Sequence, residues 1–176
     1  MGSTPLIVNS LQIAFWNANG LRSGRYELEE FMEDHQLDAI LVNETNLLWN
    51  SRDPKMPGYT LHRTERRDGN GRGTAIYVRK EIKHSSSYVP DLRQLEATAV
   101  TVVTARGPLR LIACYNNSNT LQVEDIADLV AGEEATIAAG DFNAKHSDWH
   151  SRQNNANGRR LLTFLHNTAE VDVIST

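Results

Sequence analysis

The chain has 176 residues and a formal net charge of −4, with 40% hydrophobic and 23% charged residues. These values exclude a disordered chain, a fibrous repeat and a protein that holds nucleic acid by bulk positive charge. The phosphates of any partner must then be met by local cations or by a metal ion.

The length suits one domain with a sizeable core. Residues 1–10 are interpreted as an N-terminal extension or as residues left over from expression, and residues 11–176 as the domain. The sequence has neither an apolar run long enough to span a bilayer nor a leader peptide, so we expect a soluble, intracellular protein without a membrane partner. The single cysteine, Cys114, lies in an apolar run and is expected to be a small buried residue.

The first part of the chain predicts a strand, a helix and a second strand. Residues 11–16 alternate as a strand does, residues 25–35 place apolar side chains among charged ones as in an amphipathic helix, and residues 37–42 form an apolar run. Asn17 and Asn19 follow the first strand, and Glu44 follows the second. Such a succession indicates layers of sheet and helix.

The later elements alternate in the same way. Residues 47–58 contain two prolines and predict a loop. The remaining expectations are strands at 59–63 and 73–78 around a tight turn at 68–71, a second antiparallel pair at 95–104 and 109–115, a helix at 123–130, a buried strand at 136–139, a helix at 158–167 and a last strand starting at 171–174.

The buried strand at 136–139 leads into Gly140-Asp141-Phe142-Asn143. If the strand period of two continues, Asp141 and Asn143 point the same way and Phe142 points into the fold. A carboxylate and a carboxamide placed there can accept a proton from water and hold that water or an anionic oxygen. The alternative is an Asx turn in which the two side chains bond their own backbone.

Two further groups of residues allow either a functional or a structural interpretation. Basic residues cluster around the turn at 68–71, where they either grip DNA phosphates or form a solvated hairpin tip. The cluster comprises Arg63, Arg66, Arg67, Arg72, Arg79, Lys80 and Lys83. Trp149 and Tyr59 either stack on bases or, as we favour, pack in the core or at its rim.

Taken together, the motifs resemble the endonuclease/exonuclease/phosphatase superfamily. They occur in the order Trp16-Asn17-Ala18-Asn19-Gly20-Leu21-Arg22, Glu44-Thr45, Tyr115 and Gly140-Asp141-Phe142-Asn143. The strand from Gly73 to Ile76 and the stretch Ala144-Lys145-His146, followed by Trp149 and Ser151, are similar to the endonuclease domain of non-LTR, LINE-type retrotransposons of the jockey-like branch.

The resemblance implies an α/β fold, namely a four-layered α/β sandwich of two mainly antiparallel sheets flanked by helices, as in deoxyribonuclease I. It also implies a nuclear, metal-dependent endonuclease that nicks double-stranded DNA to prime reverse transcription, with a reverse transcriptase domain in the same polyprotein. Mg²⁺ is the implied cofactor, with Mn²⁺ as a substitute.

The site residues follow position by position from the same resemblance. Glu44 and Asn19 would hold the metal, and Asn17 and Tyr115 would hydrogen-bond the phosphate. Asp141 would orient or deprotonate the attacking water, and Asn143 would hold that water or a phosphate oxygen. The residues implied for DNA binding are Arg63, Arg66, Arg67, Arg72, Lys145 and Arg152.

The family's late aspartate and its terminal Ser-Asp-His cluster have no counterpart before Thr176. We therefore expect a domain that lacks its C-terminal strands, in a parent protein that continues and supplies the histidine. A second hypothesis is a truncated or co-opted remnant that binds nucleic acid or protein without catalysis. A third, minor one is a phosphatase of inositol phosphates or lipids.

Overall fold

Eight strands and three α-helices form two sheets in a computed structural model, which describes residues 5–64, 72–168 and 170–174. The strands are β1 (Ile13–Asn17), β2 (Ala39–Asn43), β3 (Tyr59–Arg63), β4 (Thr74–Arg79), β5 (His84–Ser86), β6 (Leu95–Thr104), β7 (Gly107–Asn116) and β8 (Ala135–Asp141). The helices are α1 (Arg25–Asp34), α2 (Val123–Val130) and α3 (Ala156–His166), and a short 3₁₀ turn spans Ser147–Trp149.

The two sheets have equivalent layouts. The first has the order β1-β2-β4-β3 and the second the order β5-β6-β7-β8. Each contains one parallel pair, β1 with β2 and β7 with β8, and its other pairs are antiparallel. Each parallel pair is connected through a helix, as a parallel connection requires.

Three apolar clusters separate four layers. Side chains alternate along β2, so Ile40 and Val42 pack under α1 on the outer face while Ala39 and Leu41 face the second sheet. The outer face of the second sheet packs under α2 and α3, and Cys114 is fully buried there. The layer order is therefore α1, first sheet, second sheet, then α2 with α3, which confirms the predicted four-layered sandwich.

Most predicted elements are confirmed within a few residues; one strand was not predicted, one predicted strand is absent from the described residues, and one predicted turn cannot be compared. β5 was not predicted, because its three residues are polar and carry no apolar pattern. Residues 171–174 were predicted to start a strand but are irregular, because no strand of the described chain lies beside them to complete their hydrogen bonds. The turn predicted at 68–71 lies outside the described residues.

Residues before the predicted domain start at residue 11 also contact the sandwich. Leu6 bridges to Ile82, and Val8 bridges to Thr104 and packs between the sheets. Within the described ranges, no helix is long and apolar enough to cross a membrane.

Asp125 ties the first turn of α2 to the start of β6. Its carboxylate is fully buried and accepts hydrogen bonds from the backbone N–H groups of Arg93, Gln94 and Leu95 at 2.7–3.0 Å. Burial alone would raise the pKa of this carboxyl, but these bonds and the one from the Arg93 side chain outweigh burial and lower it. The contact holds the end of β6 that lies opposite Tyr115.

We predict that Asp125→Ala lowers the free energy of unfolding by about 2–4 kcal/mol, because three N–H groups lose their acceptor. Urea denaturation at pH 7 measures this. Asp128→Ala, which removes a half-exposed carboxylate from the same helix, is the control and should change stability by less than about 0.5 kcal/mol.

Asp125 should also make the stability of the fold depend on pH. Because the folded pKa lies below the ordinary value of 3.8, the stabilisation is complete above that pH and is lost as the pH falls through the folded pKa. The stability difference between the native chain and Asp125→Asn should therefore shrink in acid denaturation series below pH 3.8. A difference that grows in acid would contradict this role.

Candidate active site

Four strand ends meet at one rim of the sandwich. The register pairs Asn17 at the end of β1 with Asn43 at the end of β2, and Tyr115 near the end of β7 with Asp141 at the end of β8. Asn43 joins the two sheets here, since its fully buried Nδ2 donates to the carbonyl oxygen of Cys114 at 2.5 Å. The polar ends of both sheets are thereby held side by side.

Glu44 lies at the centre of this rim with 7% of its surface exposed. Its Oε1 accepts from Asn17 Nδ2 at 3.1 Å, its Oε2 accepts from Arg72 Nη1 at 2.5 Å, and the Tyr115 hydroxyl also donates to the carboxylate. Burial would raise the pKa of Glu44, but these three donors and the charge of Arg72 outweigh it and lower the pKa. The carboxylate is therefore ionised at neutral pH.

Asn19 lies in a loop that continues the β1–β2 pairing beyond the strand ends. Gly20 N–H donates to the Glu44 carbonyl at 2.8 Å, and Asn19 N–H donates to Asn17 Oδ1 at 3.2 Å. The backbone of Asn19 is thus held next to that of Glu44. Its side chain carries an exposed amide, whose oxygen is a neutral ligand for a hard cation.

Tyr115 lies between the two carboxylates of the rim. Burial raises the pKa of its phenol, and the charge of Glu44, the hydrogen bond to Glu44 and the charge of Asp141 raise it further. The phenol therefore keeps its proton at neutral pH and acts as a hydrogen-bond donor.

Asp141 and Asn143 do not continue the strand period, so that expectation is wrong. β8 ends at Asp141, Asn143 has φ +49°, and its N–H donates to Asp141 Oδ1 at 2.8 Å in an Asx turn. Asn143 Nδ2 then donates to the Asn116 carbonyl at 2.9 Å. Phe142 packs in the outer core of the second sheet, as predicted.

The rim concentrates backbone strain. Six non-glycine residues of the described chain have positive φ, and four of them surround this site: Asn19, Glu44, Asn46 and Asn143. Asparagine tolerates this conformation, whereas it is costly for a glutamate. Strain of this kind persists where the surroundings over-determine it, which is common at functional sites.

Two residues of the rim were not found from the sequence. Asn43 reads as the last residue of a buried strand, and only the pairing of two sheets shows its cross-sheet bond. Glu96 lies opposite Tyr115 on β6, is 6% exposed and accepts from the Gly73 N–H at 2.7 Å. The sequence did contain a signal for Glu96, because an acid near the start of a long apolar strand is unusual.

The predicted DNA-binding residues have diverse positions. Arg63 is 10% exposed, pairs with Asp53 at 2.7 Å and donates to the carbonyls of Leu48 and Ser51, so it stabilises the chain around these residues rather than facing solvent. Arg72 is half-exposed and bonded to Glu44. Lys145 and Arg152 are exposed beyond Asn143, and Arg66 and Arg67 lie outside the described residues.

Tyr59 and Trp149, which were considered either for base stacking or for core packing, pack internally, as we favoured. Tyr59 donates its hydroxyl to the Leu37 carbonyl at 2.6 Å, and Trp149 donates Nε1 to the Ala144 carbonyl at 2.9 Å. Both rings pack against apolar clusters.

The donor set of the rim fits a sparsely coordinated hard cation. The described residues contain no group of three or more acids, histidines or cysteines that could enclose a metal ion. Mg²⁺ commonly uses only one or two carboxylates, with waters and substrate phosphates completing its shell. Glu44 with the Asn19 amide oxygen matches that need, although Arg72 faces the same carboxylate.

Comparison with known proteins agrees with this geometry. Residues 14–173 match the profile of the Endonuclease/Exonuclease/phosphatase family, so the chain belongs to that family. It is 30% identical over 159 residues to the RNA-directed DNA polymerase from mobile element jockey of Drosophila melanogaster, covering 89% of this chain and 17% of the relative. The polymerase from transposon BS of the same organism is 30% identical over 163 residues, covering 90% and 18%. The chain therefore spans about a sixth of the length of these relatives.

Solved structures have the same fold. The endonuclease domain of TRAS1, a telomere-specific non-LTR retrotransposon, superposes with a TM-score of 0.71 at 19% identity, covering 90% of this chain and 70% of that one. An AP endonuclease from Archaeoglobus fulgidus superposes with a TM-score of 0.58 at 18% identity, covering 90% and 70%. The predicted fold class and family are thereby confirmed.

Two substitutions of Asn43 test its bond between the sheets. Asn43 Oδ1 has no hydrogen-bond partner among the described residues, whereas Nδ2 bonds a carbonyl. Asn43→Ala should cost about 1–3 kcal/mol in urea denaturation. Asn43→Asp should cost more, because it buries a charge against the Cys114 carbonyl oxygen. Equal stability of the two variants would contradict this.

Proposed function

We propose that this chain is a metal-dependent DNA endonuclease domain of a non-LTR retrotransposon, which nicks one strand of target DNA to prime reverse transcription. The observation that carries the proposal is the meeting of Glu44, Tyr115 and Asp141 at one polar rim, in a chain whose relatives are retrotransposon polymerases. Such a function would require the protein to act in the nucleus, and we propose that a reverse transcriptase domain belongs to the same polyprotein.

Each rim residue has a role in hydrolysing a phosphodiester. Glu44 and Asn19 would hold Mg²⁺, or Mn²⁺ in its place, and the cation would supply positive charge to a phosphate oxygen. Asp141 Oδ1 is bonded within its turn, so Oδ2 is the oxygen available to orient a water or take its proton. Asn143 would hold that water or a phosphate oxygen.

The neutral donors of the rim complement the carboxylates. Tyr115 keeps its proton and would donate it in a hydrogen bond to the phosphate as charge develops. Asn17 Nδ2 now donates to Glu44 and would either keep that carboxylate oriented or turn to the phosphate. Arg72, Lys145 and Arg152, with Arg66 and Arg67, would contact neighbouring phosphates.

We also propose that the missing histidine comes from a segment that follows residue 176 in the parent protein. β1 and β8 end their sheets without an outer neighbour in the described chain, and they lie next to each other. Exposed apolar side chains on both strands, Phe15 and Ile137, are consistent with further strands at these edges.

We predict that Asp141→Asn lowers the rate of supercoiled-plasmid nicking in Mg²⁺ by roughly 10²-fold or more, because a general base is lost. The measurement compares native and substituted versions of both this chain and a chain extended past residue 176. Asp34→Asn, which alters an exposed carboxylate at the end of α1, is the matched control and should nick normally.

Three outcomes separate the hypotheses. Nicking that survives Asp141→Asn contradicts the assigned base. Nicking by the extended chain alone supports a group supplied from beyond residue 176. No nicking by any version favours the non-catalytic binding module.

A second prediction concerns the cation itself. Arg72→Ala should tighten Mn²⁺ binding roughly fivefold or more, since a unit charge about 4 Å away costs a cation on the order of 1 kcal/mol even in water. Glu44→Gln should abolish binding. Electron paramagnetic resonance of free Mn²⁺ measures both without any turnover, with Arg106→Ala as the control for loss of a distant charge. Binding that is unchanged in Glu44→Gln would remove Glu44 from the cation site.

A further inference from the structure

The loop of residues 48–55, which we call the β2–β3 loop, is held rigidly although it contains no helix or strand. Side chains from outside the loop donate hydrogen bonds to the carbonyl oxygens of five of its eight residues. Arg63 donates to Leu48 and Ser51, Arg22 to Arg52, the Tyr77 hydroxyl to Pro54, and Arg25 to Lys55. Such a loop has a fixed shape before any ligand arrives.

This rigid loop nevertheless exposes two large apolar side chains. Leu48 is 60% and Trp49 is 56% exposed, whereas Trp16 and Trp149 pack against apolar clusters. Leu48 and Trp49 are therefore available for contact with a ligand. Trp49 lies between two residues whose carbonyls are bonded by Arg63, namely Leu48 and Ser51.

Positive charge is concentrated beside these side chains. A cleft of about 800 Å³ between the β2–β3 loop and the start of α1 is lined by Arg22, Arg25, Tyr26, Arg52, Asp53, Pro54 and Lys55. Its one acid, Asp53, is already paired with Arg63 at 2.7 Å. The cleft thus presents four cations in a chain whose net charge is −4, and none of the acids of α1 lines it.

The loop is close to the candidate active site. Trp49 lies five residues after Glu44, so their Cα atoms are at most about 18 Å apart. This distance corresponds to about five base pairs of a duplex at 3.4 Å each. Arg22 of the cleft follows Leu21, whose N–H donates to the Thr45 carbonyl, next to Glu44, at 2.9 Å. A duplex with a phosphate at Glu44 can therefore reach the cleft.

We infer that the β2–β3 loop is a second DNA contact, in which Arg25, Arg52 and Lys55 bind backbone phosphates and the Trp49 ring packs against a base exposed at a distorted step. The inference rests on the proposed function only in taking the same duplex as ligand. Phosphate contacts set the position of a duplex, and an inserted apolar side chain favours a step that unstacks easily. The loop would thus help to select where the strand is cut.

Salt dependence tests the phosphate contacts. Affinity for a short fluorescent duplex is measured in EDTA over a range of salt, so that cleavage plays no part. Arg52→Ala/Lys55→Ala should lower the slope of log affinity against log salt by roughly 1.8, since each phosphate contact contributes about 0.9. Arg106→Ala removes an exposed cation from the β6–β7 turn, at the opposite end of the strands, and should leave the slope unchanged.

Fluorescence tests the aromatic contact. Duplex binding should protect Trp49 from iodide quenching, and Trp49→Phe identifies its signal among the three tryptophans. Trp49→Ala should weaken duplex binding by about tenfold, and Trp49→Phe should recover most of that loss because the stacking ring is retained.

The outcomes separate this inference from the nicking activity. A reduced slope and a protected Trp49 support the inference even if no version of the chain nicks DNA. Normal nicking with an unchanged slope and an unprotected Trp49 overturns it and leaves the proposed function standing. Unchanged DNA affinity in Trp49→Ala, together with altered self-association in sedimentation, would assign the loop to a protein contact and also overturn it.

Discussion

The site depends on a constraint between the two sheets more than on any single element. Asn43 bonds the Cys114 carbonyl where neither side chain is exposed, one residue before both Glu44 and Tyr115. Because Glu44 and Tyr115 belong to different sheets, a slip of one sheet past the other would separate them. A buried amide with a fixed carbonyl partner resists that slip, since its loss would leave polar groups unsatisfied in the core.

The rim residues around that bond are also held in fixed orientations. Glu44 has a left-handed backbone and its carboxylate receives three donors, so its orientation is determined before any ligand binds. Asp141 is fixed by its Asx turn, and Asn143 is fixed by the Asn116 carbonyl. The two carboxylates are thus in place before a ligand arrives, and only donors such as Arg72 and Tyr115 would turn from Glu44 to a phosphate.

Apolar periodicity predicted the individual strands and helices because it reports burial, and burial on both faces of β2 shows in its continuous apolar run. The four-layered arrangement followed from the family resemblance. Apolar periodicity did not predict β5, whose short polar segment is a strand only through its partner β6. The prediction for residues 171–174 was wrong for the opposite reason. Their apolar pattern favours a strand, but such a strand has no neighbour in the described chain. Local pattern therefore predicts strands well only where pairing is also available.

The site was predicted less evenly. Glu44, Asp141 and Tyr115 followed from recognisable motifs at strand ends, and the structure brings them together. Asn43 and Glu96 were missed because their partners lie on other strands, at sequence separations that a single chain does not reveal. Arg63 was assigned to DNA from its place in a basic cluster, yet its ion pair with Asp53 and two carbonyl bonds give it a structural task.

The central claim is that one cation and one phosphate share this rim. Anomalous diffraction from crystals of the chain grown with Mn²⁺ and a short DNA duplex tests it most directly. We expect one Mn²⁺ peak at the Glu44 carboxylate, with a DNA phosphate between it and Asp141. A Mn²⁺ peak elsewhere, with Arg72 still bonded to Glu44 and no phosphate at the rim, would contradict the account.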